Sequence, residues 1–236
     1  ENISDFISPF TNNISDTLLQ SISNSFRNSI FFNRSNPKFG MEYSYRQYAS
    51  KLLLVSGFDS REKQNNELKI RWNIKRVFTI LLNLENAIKF NNSDYAPTRN
   101  YSLFIEKYNA KLSYQPNTKF RFSIIGDYSD KQNALQYGGE KAFISDFGTE
   151  LRYNKASKGS LTMSMNYIYI NYFGEASSSV AFEMLEALQP GNNSTWNISY
   201  QRTLANNLQL TFSYNGRKSF ETKSIHTGGV QLRAFF

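Results

Sequence analysis

The chain has 236 residues, a net charge of +8 and no cysteine, which excludes a disulfide framework and a thiolate metal site. A single histidine removes a histidine cluster as a metal site, no cofactor motif is present, and the scattered Lys and Arg form no basic stripe for nucleic acid. Aromatic residues reach 16% at a mean hydropathy of −0.52, too polar for helical spans yet rich in strand formers.

No stretch approaches the ~18 apolar residues of a transmembrane helix. The longest, Val77–Phe90, is broken by Asn83, Glu85 and Asn86. The opening ENISDFISPF lacks the basic and apolar regions of a signal peptide, so a removed leader or an internal start is expected.

Along the chain the dominant signal is alternation of period two over segments of about ten residues. Residues 1–25, with DFISPFTNNISDTLLQSIS, read as an external loop with a short helix, and 26–236 as strands. A weaker strand at Phe26–Phe32 comes first. Phe39, Met41, Tyr43 and Tyr45 then alternate with Glu42, Ser44 and Arg46, and Leu68, Ile70, Trp72 and Ile74 with Lys69, Arg71, Asn73 and Lys75. The same rule gives strands through Phe78–Glu85, Tyr108–Tyr114, Phe120–Ser129, Asp146–Asn154, Leu161–Tyr167, Thr195–Thr203, Leu208–Asn215 and the terminal GGVQLRAFF.

So many full apolar faces exceed what a soluble sandwich of this length can bury. They suit an all-β, antiparallel transmembrane β-barrel facing lipid, with aromatic girdles and a polar lumen. Connections alternate between tight turns, such as Lys75–Arg76 and Gln115–Thr118, and longer loops at Ser60–Glu67, Asn91–Asn100, Asp130–Lys141, Gly174–Ser194 and Gly216–Ser224. That asymmetry fits periplasmic turns and external loops, with the C-terminus periplasmic. Counting back gives ten strands from Phe39 and an eleventh before them, within a range of about 10–12. Because single-chain bacterial barrels have even strand numbers, the parity points to the C-terminal part of a larger barrel.

The polar face supplies the candidate lumenal charges: Glu42, Arg46, Lys69, Arg71, Lys75, Glu85, Lys111, Arg121, Asp127, Glu150, Arg152 and Arg233. In a narrow barrel they pair across the lumen, and in a wide one they line water and set selectivity. Asp146 and Glu150 read as lumen carboxylates, without a second constellation for acid–base work. His226, close to Ser224, sits in no nucleophile signature and reads as an ordinary rim histidine. GEKAF and NGRKS are turn chemistry without phosphate-loop spacing. The loop SSSVAFEMLEALQPGNN is unusually apolar at Val180, Phe182, Met184, Leu185 and Leu188, as a hairpin extension or short helix packed on the rim, or a docking surface, would be.

TWNISYQRTLANNLQLTFSYNGRKS and HTGGVQLRAFF, together with FFNRSNPKFG and LSYQPNTKF, resemble the closing strands of large outer-membrane β-barrel proteins of the Bacteroidota. The resemblance implies the bacterial outer membrane, with lipid as surroundings and other envelope proteins as partners in a complex. Val230, Leu232, Ala234 and Phe236 match the C-terminal signal read by the barrel assembly machinery at insertion. The expected role is a membrane anchor, translocation conduit or complex subunit, without enzymatic activity. The alternatives are a barrel hydrolase with a rim site near His226, a passive porin, and a soluble lipocalin-like barrel.

Overall fold

The structure, a computed structural model, describes residues 21–156, 158–205, 207–220 and 222–234. Eleven strands form one antiparallel sheet in chain order. They are β1 (Ser21–Phe32), β2 (Phe39–Leu54), β3 (Gly57–Lys75), β4 (Phe78–Ser93), β5 (Tyr101–Tyr114), β6 (Phe120–Asn133), β7 (Lys141–Lys155), β8 (Gly159–Phe173), β9 (Gly191–Ala205), β10 (Leu208–Ser219) and β11 (Ile225–Ala234). One helix, α1 (Ser179–Leu185), stands between β8 and β9. β1 and β11 are the two edges of the sheet. No helix among the described residues is long and apolar enough to cross a membrane.

Directly opposed residues in an antiparallel ladder share a face, so the register carries each face across the sheet. One row runs Tyr43, Leu68, Leu84, Tyr108 and Tyr128. A row on the other face runs Glu42, Lys69, Asn83, Asn109, Asp127 and Asp146. The apolar face is uncovered, with Tyr108 48% and Phe147 57% exposed. Apolar surface on that scale is stable only against lipid.

The apolar band has visible limits. Toward the turns it ends in the row Phe78, Tyr114 and Phe122, with the Phe78 and Tyr114 rings 4.9 Å apart. Toward the loops the polar row Asn66, Asn86, Glu106 and Asp130 bounds it, and in the next rung only Ile88 and Phe104, between Gln64 and Gln132, are apolar. Tyrosines below that row reach up to it: Tyr43 donates to Asn66 Oδ1 at 2.8 Å and Tyr108 to Glu106 Oε2 at 3.2 Å. This is the interfacial placement of an amphipathic ring. Crossing the hydrocarbon takes about 9–11 residues, but β3 has 19 and β5 has 14. The loop ends of the strands therefore rise beyond the lipid.

That extra height corrects several boundaries. Ser60–Glu67, expected as a loop, lies inside β3, and the connection is the two-residue turn Val55–Ser56. Asn91–Ser93, Asp130–Asn133, Gly191–Ser194 and Gly216–Ser219, also expected in loops, are strand, and so is NGRKS. β1 begins at Ser21, earlier than the expected boundary after residue 25. The expected helix further upstream lies outside the described residues. Polar side chains misled because a paired strand above the membrane is wet on its outer face and carries no lipid signal.

An aromatic cluster marks the outward face near the loop end. Trp196 lies opposite Gly216 and occupies the space a side chain would take, since a Cβ there would stand 2.0 Å from Trp196 Cε2. We expect Gly216→Ala to displace the indole and destabilise the sheet by about 1–3 kcal/mol, as overpacking does. The check is urea unfolding from micelles with tryptophan emission, which should red-shift in the folded variant.

Candidate functional site: the inner wall and its helix

On β1 to β7 the inward face is built from long charged side chains that pair with one another. Glu67, with 8% of its side chain exposed, is held between Arg46 and Lys69, the latter at 3.1 Å. Glu150, with 10%, sits between Arg152 and Lys111, the latter at 2.8 Å. Each buried carboxylate thus has two cations, which offsets its desolvation better than one would. Glu42 meets Arg27 at 3.6 Å, Glu85 meets Lys63 at 3.9 Å, and Asn109 donates to Asp127 at 2.6 Å. Arg71 donates to the Asn36 carbonyl at 2.8 Å and Arg121 to Gln115 Oε1 at 2.6 Å. Cations outnumber acids, so the wall is positive on balance.

Of the residues expected inside, Lys75 departs. A register shift between Asn73 and Lys75 sets Lys75 opposite Phe78, whose partner Tyr114 is on the lipid face. One extra residue reverses the face of the next position. Arg233, opposite Gln209, stays inside. Val230, Leu232 and Ala234 of the expected insertion signal face outward opposite Phe212, Leu210 and Leu208, while Phe236 lies outside the described residues.

Above the lipid level the inner wall turns apolar, and α1 packs on it. Val180 and Met184 meet Ala87, Leu103, Ile105 and Ala142, and Ala181 and Leu185 meet Ile168 and Ile170. Phe182 points away, 69% exposed. The helix was expected on the rim, and its seat is the inward face of β4 to β8. Ser178 caps its N-terminus by accepting from the Ala181 amide at 3.0 Å. Its C-terminus ends in left-handed residues, Glu186 at φ 54° and Ala187 at φ 62°.

Three lysines on adjacent strands hold that end. Lys131, 2% exposed, donates to the Met184 carbonyl and to Glu186 Oε1, both at 2.7 Å. Lys107 reaches Glu186 at 3.2 Å and Lys89 reaches Glu183 at 2.5 Å. Sequence reading missed Lys89, Lys107 and Lys131 because the strands were ended too early; extending the alternation by one to four residues reaches all three. Burying Val180, Met184 and Leu185 contributes about 1.5–3 kcal/mol each. The half-exposed pairs of Lys89 and Lys107 give about 0–1 each. Apolar contact therefore seats the helix, and the lysines fix its position.

His226 faces outward. Its ring stacks on Tyr214 with centroids 6.0 Å apart, lies 5.6 Å from Trp196, and shares a 2.8 Å hydrogen bond through Nδ1 with the Tyr214 hydroxyl. Among the described residues no group of three His, Cys, Asp or Glu is placed to hold a metal.

No family model and no curated protein matches the chain. Among solved structures it is similar to the siderophore receptor PirA from Acinetobacter baumannii, at 8% identity and a TM-score of 0.54, over 92% of this chain and 41% of that one. It is also similar to the CymD monoaromatic hydrocarbon channel, at 8% identity and a TM-score of 0.45, over 92% of this chain and 79% of that one. The chain thus spans about two fifths of the receptor's length. The fold is that of an outer-membrane β-barrel.

Glu186 supplies a pH test of α1. Burial raises its pKa, but Lys131 and Lys107 outweigh that and hold it at about 2, against 4.5 for a free glutamate. A depressed carboxylate stabilises docking above the free value and loses that contribution as pH falls through the folded one. Proteolysis at Phe182 should therefore be flat with pH above about 4.5 and rise toward pH 2. Lys131→Met should speed cleavage at pH 7 by about tenfold, the effect of losing a charged hydrogen bond. An acid-stable protease with mass-spectrometric mapping of residues 174–190 reads both.

Proposed function

We propose that the chain is the C-terminal wall of a larger outer-membrane barrel of the kind found in Bacteroidota, serving as a conduit whose mouth α1 narrows. The observation that carries this reading is the seat of α1: an apolar helix packed on the inward face above the lipid, beside a wall with surplus positive charge. An anchor alone has no need of a positive lumen or an inward-folded loop. That this chain covers only 41% of the similar receptor supports a barrel with further strands.

The even strand number of single-chain barrels supports closure by strands additional to these eleven. The short turns at Arg76–Val77 and Gln115–Lys119, against the α1 connection, support a periplasmic C-terminus. Outer-membrane lipid and the barrel assembly machinery are the partners this reading requires. It assigns no enzymatic role: His226 turns to the lipid side, with Nδ1 engaged by Tyr214.

Planar bilayers test the conduit. Deleting residues 178–188 should raise single-channel conductance, and Arg121→Gln with Arg152→Gln should lower the preference for anions. Unchanged conductance in the deletion would refute the narrowing, and silence of both proteins would favour an anchor or complex subunit.

A further inference from the structure

The inward face has two chemistries. From β1 to β7 it is charged and internally paired, whereas from β8 to β11 it carries hydroxyls and amides with Arg217 and Arg233 as its cations. Two successive rungs make the difference concrete. Ser164, Asn197, Asn215 and Thr227 lie opposite one another across the four strands. The next rung toward the loops is Asn166, Thr195, Arg217 and Ile225. All of these but Asn166 line a cavity of about 420 Å³. It lies beside the foot of the α1 connection, where Asn193 donates to the Gln189 carbonyl at 2.7 Å.

Three features make this a recognition surface. First, Asn197 donates its amide nitrogen to Asn215 Oδ1. That fixes both side chains and leaves the Asn197 oxygen and the Asn215 nitrogen as an adjacent acceptor and donor, the pair a vicinal diol satisfies. Second, Ser164, Thr195 and Thr227 add hydroxyls that serve in either sense. Third, Arg217 is exposed at the edge of the cavity and, among the described residues, makes no ion pair. The cations on the other wall are largely occupied by carboxylates or carbonyls. A guanidinium kept free above a bed of neutral hydrogen-bonding groups suits a carboxylate, which it can bind through two parallel bonds.

We infer that this cavity binds a carboxylated sugar, its carboxylate on Arg217 and its hydroxyls on Asn197, Asn215 and the flanking hydroxyls. The volume equals about fourteen waters at ~30 Å³ each. That is room for one sugar ring and its substituents, at the small end of ligand pockets. The inference concerns binding, and it stands whether or not the barrel conducts.

Isothermal titration calorimetry reads binding without relying on Trp196, whose indole packs over Gly216 on the outward face. The protein in detergent micelles is titrated with D-glucuronate, D-glucose and acetate. Saturable change with glucuronate, about tenfold weaker or more for glucose and for acetate, is expected, as is a tenfold or greater loss in both Arg217→Gln and Asn215→Ala. The inference is overturned if glucuronate gives no saturable change, if acetate binds as well as glucuronate, or if either variant binds like the parent. Retention of the heat-modifiable gel shift of folded barrels by both variants separates lost binding from lost folding, and Arg217→Lys, which keeps the charge without the fork, should recover part of the affinity.

Discussion

A backbone amide in hydrocarbon has no water to turn to, and this requirement organises the whole molecule. It forces the chain into an uninterrupted antiparallel ladder from β1 to β11, each strand paired to its neighbour in sequence. Once the ladder is continuous, parity is inherited: fixing one residue on the lipid side fixes its row on every strand. The exception at Asn73 and Lys75 shows how strict the rule is, since a single irregularity next to a two-residue turn carries a lysine to the opposite side of the sheet.

The inward face answers a different demand. Carboxylates withdrawn from bulk water need compensation, and the sheet supplies two cations to each of Glu67 and Glu150 from neighbouring or near-neighbouring positions. Such triads leave an uncompensated positive charge each, so the stabilisation of buried acids and the positive character of the wall have one cause. The same logic recurs at α1, where one glutamate is shared by Lys107 and Lys131.

How far the fold could be read from sequence follows from what alternation reports. Strand number, direction and the faces of Glu42 through Asp127 were legible because lipid on one side and water on the other write a period of two. Above the row through Glu106 and Asp130 both sides of the sheet meet water or protein, the pattern weakens, and the strands were ended short. Lys89, Lys107 and Lys131 were lost with those ends. The Val180–Leu188 stretch showed that something apolar had to be covered, but its seat depends on Leu103, Ala142 and Ile170, which come together only once the strands are extended. Lys75 was misread because a bulge leaves no mark in the residue alternation.

The polar row at Asn66, Asn86, Glu106 and Asp130 also sets a limit on the surroundings. A thicker bilayer would draw Glu106 and Asp130 into acyl chains, and the strands cannot slide down to avoid it without moving the turn-end aromatics out of register with the other interface. Tilting is the usual escape from such mismatch, but a sheet locked to its neighbours tilts only as a whole. The outer membrane is thinner than average. A hydrophobic belt bounded above by carboxylates is matched to such a membrane, and it would make the protein a poor occupant of thicker ones.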